Sequence, residues 1–389
     1  MINAASFVTV LKRFHYSQFV GVPCSYLKPF INFVINDPTL DYIGATSEGE
    51  AVAISLGAFL AGRKTVTMCQ NSGLGNMVNP LTSLNYPFRI PTLLIVTWRG
   101  QPGRLDEPQH EQMGGITLKL LELMDIPWSI FPQTELEIET AIVQADEYMR
   151  ENSRPYAFVM PEDSVSAFEL NPQQRGERVA TNCLSSTGFR EDRLTRTEAL
   201  ALILRAHPLD HAIIATTGKT GRELFTVSDS PANLYVVGGM GTASAIGLGI
   251  AHELPDQFVT VIDGDGAALM KLGTLATIGF YQPSNLLHII LDNEQHDSTG
   301  GQQTVSCTVR FSDVAAAANY RNVAFAEGAV GISDAIKKLL SLSGPSMLHI
   351  KIKPGSPTKL GRPTLKPHEV KHRFMAFLDK IPESRKRVN

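Results

Sequence analysis

The pattern of apolar and polar positions divides the chain into short buried segments that alternate with helices. Apolar, β-branched runs such as 258–262 and 286–291 are typical of strands in a parallel sheet that is covered on both faces. The predicted strands span 18–23, 41–45, 65–68, 91–97, 155–160, 212–215, 234–237, 258–262, 286–291 and 346–352, and the predicted helices include 6–13, 30–35, 51–61, 195–206 and 267–280. We therefore predict an α/β protein whose parallel sheets carry helices on both faces.

This alternation is interrupted once, between two halves of similar plan. Residues 161–193 are rich in Ser, Asn, Gln, Arg and Glu and lack apolar periodicity, which favours a linker. A chain of 389 residues is long enough for two domains with separate cores. We place a first domain at 1–165, the linker at 166–193 and a second domain at 194–389.

Composition narrows the class of protein. A hydrophobic content of 43%, a charged content of 19% and a net charge of −3 are typical of a soluble globular protein and argue against nucleic-acid binding. The sequence has neither a signal-peptide pattern nor an apolar run of about eighteen residues, so we expect a cytoplasmic protein without a membrane span. Cys24, Cys69, Cys183 and Cys307 lack metal-site spacing and are expected to be reduced thiols. The basic tail, 380–389, is expected to be a solvated end.

Polar turns follow two neighbouring strands of the second half. Gly264-Asp265-Gly266 follows the strand at 258–262, where we expect a tight turn that lets the backbone approach a ligand. Asp292-Asn293 follows the strand at 286–291. Because a right-handed crossover brings the carboxyl ends of such strands to one edge of the sheet, Asp265 and Asn293 are predicted to meet there. Their side-chain oxygens suit Mg²⁺ bound to a diphosphate.

The spacing of these turns resembles the thiamin-diphosphate motif, in which Gly-Asp-Gly is followed after such an interval by Asn-Asn or Asp-Asn. The resemblance implies Mg²⁺ ligation by Asp265, Asn293 and the backbone carbonyl of Gln295. Met240 resembles the apolar side chain that holds the cofactor bent, and Glu48 resembles the acid that protonates its aminopyrimidine ring. The implied cofactor-binding residues are Glu48, Gly218, Lys219, Gly239, Met240, Gly241, Gly264, Asp265, Gly266, Ala267 and Asn293. Taken singly, Glu48 is more typical of the first turn of a helix, and Met240 is equally typical of an apolar core.

Further segments resemble the phosphonopyruvate decarboxylases and, in part, the sulfopyruvate decarboxylases. They are Gly21-Val22-Pro23, Asn71 to Asn76, Trp98-Arg99-Gly100, Asp106 to His110, Thr217 to Thr220 and His296 to Gln302. The resemblance runs from residue 19 to about residue 363. It implies a pyrimidine-binding and a diphosphate-binding domain, and a homodimer or higher homo-oligomer with active sites between subunits.

The reaction implied by the resemblance is the Mg²⁺- and thiamin-diphosphate-dependent decarboxylation of 3-phosphonopyruvate, a 2-oxo acid, to phosphonoacetaldehyde and CO₂. Its setting would be phosphonate or antibiotic biosynthesis. The candidate catalytic residues are Glu48, His110 and His296. Because a phosphonate needs cations and hydrogen-bond donors, the candidate substrate ligands are Ser25, Asn71, Arg99 and His110.

Two residues depart from the family pattern and leave the substrate open. Cys24 replaces the usual Asp after Gly-Val-Pro, and Thr242 replaces a usual His. Sulfopyruvate or another anionic 2-oxo acid, with decarboxylation or carboligation, is therefore an alternative, although the run 106–110 favours phosphonopyruvate.

Two other classes of protein, a nicotinamide enzyme and a non-catalytic cofactor-binding subunit, fit the sequence less well. A nicotinamide enzyme would use Gly239-Met240-Gly241 as its dinucleotide turn, but the third glycine of that motif is missing. A cofactor-binding subunit without catalysis is disfavoured by the joint presence of Glu48, Asp265 and Asn293.

Overall fold

The computed structural model describes residues 1–173, 176–184 and 193–380, so most of the basic tail expected to be solvated, 381–389, lies outside the described residues. The chain forms two compact units, Met1–Arg175 and Gly176–Asn389. Both are parallel α/β sheets flanked by helices, which confirms the predicted fold class. None of the described helices combines the length and the apolar character needed to cross a membrane.

The first unit contains a parallel sheet whose strands, within the described residues, have the order β2-β1-β3-β4-β6-β5. Its strands are β1 Tyr16–Gly21, β2 Asp41–Gly44, β3 Lys64–Gln70, β4 Leu93–Thr97, β5 Trp128–Ile130 and β6 Tyr156–Met160. Its helices are α1 Ala4–Arg13, α2 Lys28–Asn36, α3 Glu48–Leu60, α4 Leu74–Asn79, α5 Tyr86–Phe88, α6 Glu111–Leu123 and α7 Glu135–Asn152.

Side chains of the central strands alternate between two apolar clusters. Met68 of β3 belongs to one cluster and its neighbour Cys69 to the other. Leu93 and Leu94 of β4 divide in the same way. Successive strand residues point to opposite faces of a sheet, so this sheet is buried on both faces, as its continuous apolar runs indicate.

The second unit has a parallel sheet of described strands in the order β7-β14-β15-β11-β10-β8-β9, and a short antiparallel pair, β12-β13. Its strands are β7 Asn182–Leu184, β8 Ala212–Ala215, β9 Asn233–Tyr235, β10 Val259–Gly264, β11 Leu286–Asp292, β12 Gln295–His296, β13 Gln302–Gln303, β14 Asn322–Ala326 and β15 Ser346–Lys351. Its helices are α8 Arg196–Ala206, α9 Lys219–Val227, α10 Ala243–Glu253, α11 Asp265–Met270, α12 Thr274–Tyr281, α13 Phe311–Ala317, α14 Gly328–Leu340 and α15 Pro367–Leu378.

The structure differs from the sequence predictions at three places in this unit. Strand β7 lies inside the predicted linker, 166–193, where its exposed side chains gave no strand pattern. The helix predicted at 267–280 is two helices, α11 and α12. Instead of a tight turn at 263–266, β10 runs to Gly264 and α11 starts at Asp265, so the strand passes directly into a helix.

Candidate active site

Asp265 lies where β10 passes into α11, and its side chain is buried. Its Oδ2 accepts hydrogen bonds from the hydroxyls of Thr304 and Ser306, the latter at 2.9 Å. No described residue forms an ion pair with this carboxylate. Burial raises the pKa of Asp265, and the neighbouring Asp292 carboxylate adds to the rise. Asp265 is therefore a buried carboxyl group that no described cation of the chain contacts.

Asp292, at the end of β11, has the opposite environment. Its carboxylate is fully buried, and it accepts hydrogen bonds from Ser306 at 2.7 Å and His349 at 2.9 Å, while Lys351 Nζ lies 2.7 Å away. Burial alone would raise the pKa of Asp292, but these hydrogen bonds and the charge of Lys351 lower it. Of the two adjacent carboxyl groups, Asp292 is paired with a lysine of the chain, and Asp265 has no cationic partner among the described residues.

Asn293 follows Asp292 and is almost completely buried. Its Nδ2 donates to Oδ2 of Asp297 at 2.7 Å, and its Oδ1 accepts from the backbone N–H of Gln295 at 3.3 Å. Asp297 is also paired with Arg196, whose Nη2 lies 2.6 Å from Oδ2. The amide of Asn293 is therefore held between fixed partners.

A cavity of about 280 Å³ in the second unit brings most of the predicted cofactor and metal residues together. Those that line it are Gly218, Lys219, Met240, Gly264, Asp265, Gly266, Ala267, Asn293, Gln295 and His296. Gly239 and Gly241 flank Met240 with positive φ angles of 51° and 88°, a conformation that favours glycine. A Cβ at Gly266 would lie 2.7 Å from Cε1 of His296, which explains the glycine without a turn.

The donors in this cavity fit a metal-bound diphosphate. Carboxylate and amide oxygens are the ligands that Mg²⁺ prefers, and Asp265 and Asn293 supply one of each to this cavity. Lys219, at the start of α9, forms no ion pair with any described residue and lines the same cavity. The residues present therefore fit thiamin diphosphate with Mg²⁺.

In the first unit, Glu48 begins α3 behind the N-cap Ser47. Oε2 of Glu48 accepts a hydrogen bond from Nδ2 of Asn76 at 2.7 Å. A Cβ at Gly73 would lie 2.2 Å from Oε1 of Glu48, so the glycine makes room for the carboxyl group. Glu48 therefore stands in the first turn of a helix, and its carboxyl group is also held by Asn76.

The candidate substrate ligands of the first unit are largely engaged with one another. Nη1 of Arg99 donates to Oγ of Ser25 at 3.0 Å, and Nε donates to Asp106 at 2.8 Å. The hydrogen bonds of Asp106 with Arg99, which outweigh its burial, hold the pKa of that carboxyl well below its usual range. Asn71 is buried, and its amide bonds the backbone of Arg99 and the hydroxyl of Thr117. This geometry gives Asn71 a role in holding the turn.

His110 is buried, and its Nδ1 has no hydrogen-bond partner in the part of the chain that the structure describes.

The two departures from the family pattern occupy different environments. Cys24 lies with Sγ 3.3 Å from Oε1 of Gln70, whereas Thr242 stands just before α10 without a side-chain capping bond, and its hydroxyl donates to the carbonyl of Gly239.

The residues that hold the candidate ligands in place were not predicted from the sequence. Asn76 and Asp297 stand inside segments that carried the family resemblance, so attention to each polar residue of those segments would have found them. Thr304 and Ser306 gave no signal, because their contact with Asp265 joins positions far apart in the chain.

Comparisons with known proteins agree with this geometry. Residues 1–118 match the model of the thiamine pyrophosphate enzyme N-terminal TPP binding domain, and residues 217–350 match the C-terminal TPP binding domain; thiamine pyrophosphate is thiamin diphosphate. A benzoylformate decarboxylase from Polynucleobacter necessarius shares the fold, with a TM-score of 0.73 and 13% identity over 92% of this chain and 100% of that one. The class of protein is therefore that of the thiamin-diphosphate enzymes.

Sequence relatives define the family within that class. A phosphonopyruvate decarboxylase from Streptomyces viridochromogenes is 46% identical over 98% of this chain and 96% of that protein. A second phosphonopyruvate decarboxylase, from Streptomyces hygroscopicus, is 43% identical over 97% of this chain and 94% of that protein. A sulfopyruvate decarboxylase from Methanosarcina acetivorans is 31% identical over 96% of each. The chain belongs to the phosphonopyruvate decarboxylase family and is a carboxy-lyase that uses thiamin diphosphate.

Proposed function

We propose that the protein decarboxylates 3-phosphonopyruvate to phosphonoacetaldehyde and CO₂, with Mg²⁺ as the metal. The observation that carries the proposal is the cavity in which Asp265 and Asn293 meet beside Lys219. The 46% identity to a phosphonopyruvate decarboxylase supports the choice of substrate. The setting would be phosphonate biosynthesis in the cytoplasm, and the working form a homodimer or higher oligomer.

The metal would be held by the Asp265 carboxylate, the Asn293 side-chain oxygen and the Gln295 backbone carbonyl. The burial of the Asp265 carboxyl group at this cavity, without a cationic partner among the described residues, supports this assignment. Gly218 and Lys219 would face the diphosphate at the N-terminus of α9, where backbone N–H groups and the helix dipole favour anions. Met240 would pack against the cofactor from the loop before α10.

Thiamin diphosphate supplies the carbon nucleophile and accepts the electrons released with CO₂. Glu48 would supply the acid at the aminopyrimidine. Because Asn76 donates to Oε2, Oε1 of Glu48 is left to carry the proton. His110 and His296 would move protons on the substrate, and the unpartnered Nδ1 of His110 supports its part in this role.

Ser25 and Arg99 would bind the anionic substrate, with His110 beside them. The charge of Arg99 is shared with Asp106, so the phosphonate would have to compete with that carboxylate or bind alongside it. The second candidate substrate is sulfopyruvate, which is supported by the 31% identity to a sulfopyruvate decarboxylase. A sulfonate carries one negative charge fewer than a fully ionised phosphonate, so the two substrates place different demands on Arg99.

Dependence on metal and cofactor tests the proposal. Protein stripped of metal and cofactor is given 3-phosphonopyruvate with thiamin diphosphate alone, with Mg²⁺ alone or with both, and CO₂ release is followed. We expect turnover only when Mg²⁺ and thiamin diphosphate are both present. In Asp265→Ala, the rate of CO₂ release should fall by about a hundredfold or more. Asp313→Ala, at an exposed carboxylate of the same unit, is the matched control and should keep full activity. Full turnover without a divalent cation would contradict the proposal.

A further inference from the structure

We propose that Asp297 is a positioning residue that turns the side-chain oxygen of Asn293, rather than its NH₂ group, toward the metal site. The inference rests on the proposed function, because ligation of Mg²⁺ by Asn293 is part of it. Only the oxygen of an amide can bind a hard cation, so the orientation of this one group decides whether the site has its second side-chain ligand.

The two neighbours of the Asn293 amide have opposite polarity. Oδ2 of Asp297, at 2.7 Å from Nδ2, accepts hydrogen bonds, whereas the N–H of Gln295, at 3.3 Å from Oδ1, can only donate. Turning the amide over would set oxygen against oxygen and N–H against N–H. Both neighbours therefore select the same orientation, and Asp297 makes the shorter contact.

Asp297 is itself held in place from two directions. Nη2 of Arg196 lies 2.6 Å from its Oδ2, and the backbone N–H of Gly355 donates to its Oδ1 at 3.2 Å. Arg196 is buried and also pairs with Glu223 at 2.7 Å. Arg196 has only donors, so Oδ2 of Asp297 must remain an acceptor toward both Arg196 and Asn293.

This chain of contacts connects several elements with the end of β11. Glu223 lies on α9 and accepts further hydrogen bonds from Thr197 and Ser356, each at 2.7 Å. Asn293 has little freedom, since its partner is fixed by buried groups on α8 and α9. Residues outside the set of metal ligands commonly orient the ligands and change metal affinity by about ten- to a hundredfold when removed.

Binding of Mn²⁺ tests the inference without measuring activity. Free Mn²⁺ is quantified by electron paramagnetic resonance as protein is titrated in the presence of thiamin diphosphate, and the thermal unfolding of each variant is recorded alongside. We expect Asp297→Ala to weaken Mn²⁺ binding about ten- to a hundredfold. Asp297→Asn keeps one oxygen to accept from Arg196 and Asn293 and gives up only the longer contact with the N–H of Gly355, so its Kd should stay within about threefold of wild type. Asp313→Ala, the exposed control, should not change the Kd.

A double variant separates orientation of Asn293 from a direct effect of the Asp297 charge. If Asp297 acts only through Asn293, adding Asp297→Ala to Asn293→Ala should not weaken Mn²⁺ binding further. Equal affinity of Asp297→Ala and wild type would overturn the inference while leaving the proposed function standing. An Asp297→Asn variant as weak as Asp297→Ala, or additive losses in the double variant, would also overturn it. Absence of Mn²⁺ binding by the wild-type protein would overturn the proposed function and the inference with it.

Discussion

The side-chain amide of Asn76 donates a hydrogen bond to Oε2 of Glu48 at 2.7 Å, from a helix that begins just after the closely packed Gly73. The contact fixes one carboxyl oxygen of Glu48 and leaves Oε1 for the acid role proposed for this residue. It also explains why a glycine stands beside the carboxyl group, because any side chain at residue 73 would occupy its space.

Replacing Gly73 by Ala should therefore displace Glu48. The new Cβ would lie 2.2 Å from Oε1 and 2.5 Å from Cγ of Glu48, so the whole carboxyl arm must move. We expect kcat to fall by at least about a hundredfold, as for loss of a positioned acid. Gly75→Ala is the matched control, because a Cβ there would have no described atom within 4 Å apart from its chain neighbours and the backbone of its own helix. Unchanged kcat in Gly73→Ala would contradict the role given to Glu48.

The pair of Arg99 and Asp106 gives a prediction about stability. Asp106 also accepts hydrogen bonds from the backbone N–H groups of Gly100 and Glu107, so Asp106→Ala leaves several donors without their partner. We expect a loss of about 1–3 kcal/mol, seen as a lower midpoint of thermal unfolding, together with a raised KM. Glu107→Ala, at the exposed neighbouring residue, should change neither quantity. Equal behaviour of the two variants would show that Asp106 does not hold this loop.

His207 predicts how stability depends on pH. Burial, with a smaller contribution from His211, lowers the pKa of His207 from 6.5 to about 4. Its Nδ1 faces the carbonyl of Pro208 and must donate, so Nε2 accepts from Thr260 and the ring fits as the neutral form. Between about pH 6.5 and pH 4, His207 binds a proton in the unfolded chain but not in the folded one. The stability that neutral His207 gives the folded protein is therefore complete above pH 6.5 and is lost as the pH falls toward 4.

Thermal unfolding measured across this pH range checks the assignment. Between pH 6.5 and pH 4, the midpoint of thermal unfolding should fall by about 5 °C less in His207→Gln than in the wild type. His15→Asn, at an exposed histidine, should follow the wild-type slope. The assignment fails if His207→Gln and the wild type lose the same number of degrees.

The sequence predicts those parts of the fold and site that depend on local pattern. Apolar runs located β10 and β11, and the polar residues after each run located Asp265 and Asn293 at one cavity. Strand β7 was not predictable, because an exposed edge strand has no apolar period and forms only by pairing with β14. The contacts of Ser306 with Asp265 and Asp292 were equally hidden, since they depend on how a distant loop returns to the sheet.

Substrate preference tests the central claim most directly. The purified protein, with Mg²⁺ and thiamin diphosphate, is given 3-phosphonopyruvate, sulfopyruvate and pyruvate in turn, and kcat/KM is determined from CO₂ release. We predict that 3-phosphonopyruvate is preferred by about tenfold or more, a difference of about 1.4 kcal/mol, and that Glu48→Gln abolishes its turnover. A preference for sulfopyruvate or pyruvate, or an active Glu48→Gln variant, would contradict the account.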